Sequence, residues 1–247
     1  MISLRGKRVL VTGASRGIGR LVAAQMARHG CDLVVHSRSL EHTRPVVSEL
    51  AAFPVTVDPV AADLARPDEV ESLLDTLEKR YPVIDVVFNN AGLQVAYRAD
   101  FWHTPTDDFT TSMQVNLIAP AMICLRLVPA MLKQGFGRVI NLTSGIRAEP
   151  EQSGYAASKA ALEKFTRDLA LKLDRDDVLL NLVDPGWCRT DLGGPNAPND
   201  PASALPGVLV GAFIDDRRSG RIFRTQDYAG MTLPQAVGHA EKLNETC

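Results

Sequence analysis

The chain predicts an α/β fold, a doubly wound parallel sheet with helices on both faces. Three observations predict it. Six short apolar runs alternate with helical stretches along 247 residues. The first run passes directly into a glycine-rich turn and then a helix. No internal repeat or interdomain linker interrupts the alternation, so residues 1–247 are expected to form a single domain.

Composition narrows the function. A formal net charge of -2, with no polybasic run, argues against a nucleic-acid partner. Met1 to Gly6 lacks an apolar leader core, so no secretory signal is expected. The longest apolar run, Leu117 to Leu132, carries Arg126, Pro120 and Pro129 and is short for a bilayer, so no membrane span is expected. Cys31, Cys124, Cys188 and Cys247 form no CxxC pair and no metal-ligand spacing with histidine. They read as reduced thiols of a cytoplasmic protein, three packed and Cys247 exposed, with no metal site.

Arg8–Thr12 suits a buried parallel strand. Gly13-Ala14-Ser15-Arg16-Gly17-Ile18-Gly19 follows, and a helix runs on to Gly30. Strand, glycine turn and helix N-terminus form the setting for a dinucleotide pyrophosphate, although the spacing is neither G-x-G-x-x-G nor a P-loop. The second strand, Asp32–His36, ends in Ser37 and Arg38. An acid there would bond the ribose 2′-hydroxyl of NAD; Arg38, with Arg16 within reach, instead favours the 2′-phosphate of NADP(H) over NAD(H).

A helix over residues 41–52 leads to a third strand near 55–60, closed by Asp63-Leu64. The Asp63 carboxylate suits either an adenine amino group or the cap of a helix starting near Pro67. The fourth strand, Val83–Phe88, ends in Asn89-Asn90-Ala91-Gly92, a floor for a cofactor or a plain turn. An aromatic loop, Leu93–Pro105, should lie over the strand ends and reach substrate. A long helix over 106–134 contains Asn116, with Pro120 four residues on. Proline has no N–H, so the Asn116 carbonyl loses its usual donor and is free to hold a water. The nearly uncharged run from Leu117 points to a subunit interface, hence a homodimer.

The fifth strand, Arg138–Leu142, ends in Thr143-Ser144-Gly145. The next helix, expected to reach about Asp174, carries Tyr155-Ala156-Ala157-Ser158-Lys159. Tyr155 and Lys159 share one face, and an ammonium beside a phenol should pull its pKa down toward working pH. The sixth strand, Val178–Val183, ends in Asp184-Pro185-Gly186 and leads to Thr190. A short substrate segment over 191–213 with a helix near 202–213, a last strand near Arg221–Phe223 and a polar, surface-draped tail over 225–247 complete the expectation.

Together these motifs resemble the short-chain dehydrogenase/reductase family, a Rossmann-type fold, from about Lys7 to Phe223. They are Thr12-Gly13-Ala14-Ser15-Arg16-Gly17-Ile18-Gly19, Asp63, Asn89-Asn90-Ala91-Gly92, Asn116, Ser144, Tyr155-x-x-x-Lys159 and Pro185-Gly186 with Thr190. The resemblance implies an oxidoreductase passing a hydride between NADP(H) and a ketone, aldehyde or secondary alcohol, with a carbonyl-reductase-like character. It implies Tyr155 as general acid, Lys159 on the nicotinamide ribose, Ser144 on the substrate oxygen and Asn116 holding a relay water. Thr190 and Gly186 would meet the carboxamide, and Asp63, Leu64 and Asn89 the adenine side. Two departures bear on the pocket. Ser144 to Tyr155 is shorter than the common family spacing, and the segment after Thr190 is short and proline-rich where many members carry a helical lid. A cofactor-binding regulator without catalysis, or a lyase or isomerase using the same tyrosine, shares the fold.

Overall fold

In the computed structural model, residues 1–173 and 177–243 are described. Seven parallel strands make one sheet in the order β3-β2-β1-β4-β5-β6-β7. They are β1 (Arg8–Val11), β2 (Asp32–Ser37), β3 (Val57–Ala61), β4 (Val86–Asn89), β5 (Gly137–Leu142), β6 (Val178–Asp184) and β7 (Ile222–Arg224). The helices are α1 (Gly17–Arg28), α2 (Leu40–Leu50), α3 (Pro67–Arg80), α4 (Thr106–Met113), α5 (Ala119–Gln134), α6 (Ser153–Ala170), α7 (Val210–Phe213) and α8 (Leu233–Lys242).

The strands read as continuous apolar runs because both faces are covered, and alternate residues feed two cores. Val9, Val11, Leu33, Val35, Val86, Phe88, Ile140 and Leu142 face one core, with Val22 and Met26 of α1 and Val46 and Leu50 of α2. Leu10, Val34, Val87, Val139 and Leu180 face the other, with Leu73, Leu74 and Leu77 of α3 and Ile123, Leu127 and Met131 of α5. Chain order reverses between β1 and β4, so the crevice opens at their carboxyl ends.

The expected long helix over 106–134 is present but changes pitch. Gln114–Ile118 forms a π-turn, with the Ala119 N–H reaching back to the Gln114 carbonyl. Pro120 explains it: the Asn116 carbonyl has no i+4 donor, and a wider turn absorbs the mismatch.

Three expectations need correction. The helix expected near 202–213 is broken into short 3-10 turns, Pro201–Ala204 and Gly207–Leu209, before α7. Pro206 removes an N–H where a helix would use one. Chain beyond Thr225 is not a surface drape. Thr225–Tyr228 forms a 3-10 turn, and α8 buries Ala236, Val237 and Ala240 against the first core. Small residues made that face look polar in sequence. Arg218 and Arg221 hold it down, donating to the Glu241, Leu243 and Ala240 carbonyls while pairing with Asp216. Finally, α6 ends at Ala170; the expected end at Asp174 lies outside the described residues, as does Cys247. Cys31, Cys124 and Cys188 are buried and unpaired with one another, as expected.

Candidate active site

A cleft of about 790 Å³ lies over the carboxyl ends of the strands around the reversal point. Of the residues expected to bind cofactor or act in catalysis, Gly13, Ser15, Arg16, Gly17, Ile18, Ser37, Arg38, Asp63, Leu64, Asn90, Ala91, Gly92, Tyr155, Lys159, Pro185 and Thr190 line it. Gly19, Asn116, Ser144 and Gly186 do not, and each has another place.

The glycine turn is built for close approach. Gly13 has φ +65°, and a Cβ on it would lie 3.0 Å from the Ala91 Cα. A Cβ on Gly19 would collide with the Gly13 carbonyl oxygen and the Asn90 side chain, so Gly19 lets α1 start against the strand. Thr12 Oγ1 accepts from the Asn90 and Ala91 N–H groups at 3.0 Å each, and Asn90 Nδ2 donates to the Thr12 carbonyl at 2.8 Å. These bonds fasten the ends of β1 and β4 together beneath the cleft. Asn89, expected on the adenine side, points elsewhere: it is buried and donates to Asn141 Oδ1 at 2.8 Å. Strand alternation explains the correction, since Asn89 and Asn90 point in opposite directions.

At the end of the cleft beside β2 and β3, Asp63 Oδ1 accepts from the Ala65 N–H at 3.0 Å. The N-cap position of α3 is Arg66, so Asp63 closes a local turn rather than capping that helix. Glu41, His42 and Pro45 of α2 also line this end and were not foreseen. Nor was His36. It is 2% exposed, and its Nε2 lies 3.0 Å from the Ala62 carbonyl while its Nδ1 faces the Gly13 N–H at 3.3 Å. A carbonyl only accepts and an N–H only donates, so Nε2 carries the proton and Nδ1 accepts. Burial pushes its pKa down to about 4 and keeps the ring neutral. His36 thus braces the glycine turn against β2 and the end of β3. The sequence signal was a lone polar residue at the end of an apolar strand.

At the other end, Tyr155 is 6% exposed, with the Ser144 side chain close enough to act on its phenol. Lys159 is equally enclosed; its Nζ donates to the Leu142 carbonyl at 2.8 Å and sits 5.9 Å from the Tyr155 ring centre. The expected downward pull on the phenol is not what this arrangement produces. Burial, with some help from Asp184, raises the Tyr155 pKa, and Ser144 opposes that only in part. Burial also lowers Lys159 to about 8, because an ammonium without a carboxylate partner is poorly solvated there. Ser144 itself lines an adjoining cavity of about 360 Å³ that shares Thr143 and Lys159 with the main cleft.

Asn116 is wholly buried in the π-turn. Its Nδ2 donates to the Leu93 carbonyl at 2.8 Å and to Ser158 Oγ at 2.9 Å, and its Oδ1 accepts from the Leu93 N–H at 2.9 Å. Ser158 Oγ in turn donates to the Tyr155 carbonyl at 2.7 Å. The side chain therefore ties the loop after β4 to the Tyr155 turn of α6. Gly186, with φ +71°, shapes the turn after β6, its N–H donating to Asp184 Oδ1 at 2.9 Å. The aromatic loop bonds to the chain before α6 through the Arg98 N–H and the Glu151 carbonyl at 2.9 Å. Among the described residues there is no cluster of His, Cys, Asp or Glu able to hold a metal.

The family model described as short chain dehydrogenase matches residues 7–200. A "short-chain type dehydrogenase/reductase" of Picea abies is 34% identical, over 98% of this chain and 89% of its own length. A 3-oxoacyl-acyl-carrier-protein reductase of Thermotoga maritima is 28% identical, over 95% and 96%. Among solved structures, a short chain dehydrogenase from Shigella flexneri 2a complexed with NADP superposes with a TM-score of 0.81 at 29% identity, covering 91% of this chain and 99% of that one. One from Escherichia coli CFT073 complexed with NADPH gives 0.81 at 29%, covering 91% and 98%. With a match to the family's sequence model over most of its length, a parallel sheet that superposes on solved members, and Tyr155 and Lys159 meeting at the foot of the cleft, the chain belongs to the short chain dehydrogenase family of oxidoreductases.

Proposed function

We propose that the chain is an NADP(H)-dependent reductase of ketones or aldehydes, reversible as a secondary-alcohol dehydrogenase, working in the cytoplasm. The observation that carries this reading is the meeting of Tyr155 and Lys159 at one end of a dinucleotide-sized cleft, with Ser144 in the cavity that adjoins it at Lys159. The fit to a dinucleotide rests on the glycine turn, where Gly13 takes a left-handed φ and Gly19 has no room for a Cβ, and on the backbone it leaves open at the start of α1. Ser37 and Arg38 at the end of β2, with no acid at that strand end, favour the 2′-phosphate form. The NADP and NADPH complexes of the two bacterial relatives support the same choice.

A bound nicotinamide supplies or takes the hydride. The chain's own residues handle the rest. Ser144 bonds the substrate oxygen and the Tyr155 hydroxyl, orienting both. Tyr155, raised by burial, is a protonated donor at neutral pH and delivers its proton to that oxygen as charge develops there. Lys159, beside it, stabilises the phenolate left behind and holds the ribose. Asn116 fixes the loop and helix that carry these groups, and its carbonyl, without an i+4 donor, holds the water that returns a proton toward Lys159. Thr190 meets the carboxamide.

A panel of ketones and aldehydes, read by NADPH oxidation, tests the reading. Turnover of at least one compound, lost in Tyr155→Phe, is the expected result; NADPH binding with no turnover across the panel counts against it.

A further inference from the structure

The two arginines expected at the 2′-phosphate are not equivalent. Arg38 lines the cleft and makes no ion pair among the described residues. Arg16 already has a partner: its Nη1 lies 2.6 Å from Asp191 Oδ2, with the side chains 64% and 67% exposed. Asp191 is the residue after Thr190, so this pair joins the glycine turn to the loop after β6 across the mouth of the cleft.

That loop is a pinned turn leaning on the cleft. The Gly193 N–H donates to Thr190 Oγ1 at 3.1 Å, the Gly194 N–H to the Thr190 carbonyl at 2.8 Å, and Trp187 Nε1 to the Gly193 carbonyl at 2.7 Å. Thr190 Cγ2 would lie 3.3 Å from a Cβ on Gly17, and Leu192 Cδ1 3.7 Å from one on Gly92, close to Lys159. Asp191 is short and sits on this fixed turn. Arg16 is long and exposed, so it is the partner free to move.

We infer that Asp191 is a specificity-determining residue that competes with the adenosine 2′-phosphate for Arg16. It thereby tempers the preference for NADP(H) and couples the choice of cofactor to the loop over Lys159. The inference rests on the nicotinamide reading above. A dianionic phosphate draws a guanidinium more strongly than one carboxylate does. NAD(H) has no such phosphate, so with it Arg16 stays on Asp191. Arg38 and Arg16 then divide the work: Arg38 binds the phosphate outright, and Arg16 only by leaving the loop.

Equilibrium titration of NADPH and of NADH, followed by protein fluorescence, tests this in wild type, D191N, R16A, the double variant and D191E. An exposed ion pair is weak, so D191N should tighten NADPH by about two- to five-fold and leave NADH unchanged. The gain should vanish in the R16A background, and D191E should keep the wild-type ratio. Equal effects on both cofactors, no gain, or a gain that survives the loss of Arg16 would each overturn the inference while leaving the nicotinamide reading standing. Failure of the wild type to bind either cofactor would overturn both.

Discussion

Tyr155 and Lys159 lie one turn apart, yet each is set by burial more than by the other. Tyr155→Phe removes only the hydroxyl. Turnover should fall on the order of 10²–10⁴-fold while NADPH affinity stays within about two-fold; single-turnover rates and a binding titration measure the two. Lys159→Ala should lower both. Lys159 also gives the pH profile a limb. Above about pH 8 it loses its charge, so reduction should slow there, well below the pKa of a free phenol. His36 acts on stability instead. Its folded pKa lies near 4, below the ordinary value of 6.5. Between those values the unfolded chain binds the extra proton, so stability is full above about pH 6.5 and is lost as pH falls toward 4. The loss from this group is at most about 3 kcal/mol. His36→Asn keeps a donor and an acceptor but cannot titrate. Urea unfolding at pH 7 and pH 5 should show a smaller difference for it than for wild type; an equal difference would remove His36 as the cause.

Two elements carry the geometry that single residues use. The π-turn over Gln114–Ile118 turns Asn116 so that one carboxamide meets both backbone groups of Leu93 and the Ser158 hydroxyl. Asn116→Ala leaves those groups buried without partners, which costs about 1–3 kcal/mol. Because Leu93 lines the cleft and Ser158 bonds the Tyr155 turn, turnover should fall more than stability alone explains. At the other end of the chain, α8 belongs to the core. Val237→Ala removes two buried methyl groups and should cost about 2 kcal/mol by urea unfolding. A tail merely draped on the surface would show no change.

At the scale of the molecule, the helical stretch Thr106–Gln134 is long and apolar enough to cross a membrane by composition, but half of its most apolar window is buried inside the protein. The single charge between Leu117 and Leu132, Arg126, is turned toward α3, where it meets Glu71, Asp75 and Glu78. That leaves Leu125, 62% exposed, and Ile118, 42% exposed, on an outer face, and Leu171 at the end of α6 is 77% exposed. We propose that this face joins two copies through α5 and α6. Light scattering should give a dimer for wild type and a shift toward monomer for Leu125→Asp; a clean wild-type monomer would dispose of the interface.

Much of this was legible in the residues themselves. Apolar runs at strand length between amphipathic stretches dictate a parallel sheet, because only a strand covered on both faces can be apolar throughout. The glycine turn and the Tyr155–Lys159 spacing are local features, and local spacing survives folding unchanged. Asn116 and Pro120 even foretold a distortion, since the missing N–H is covalent fact. What the sequence could not hold are the contacts between segments far apart in it. Only the fold brings Asp191 to Arg16, sets His36 under Gly13, and draws small residues of α8 onto a core that their composition hides. Burial decided the rest: it sets the Tyr155 and Lys159 pKa values, and burial is a property of the packed molecule rather than of any stretch of chain.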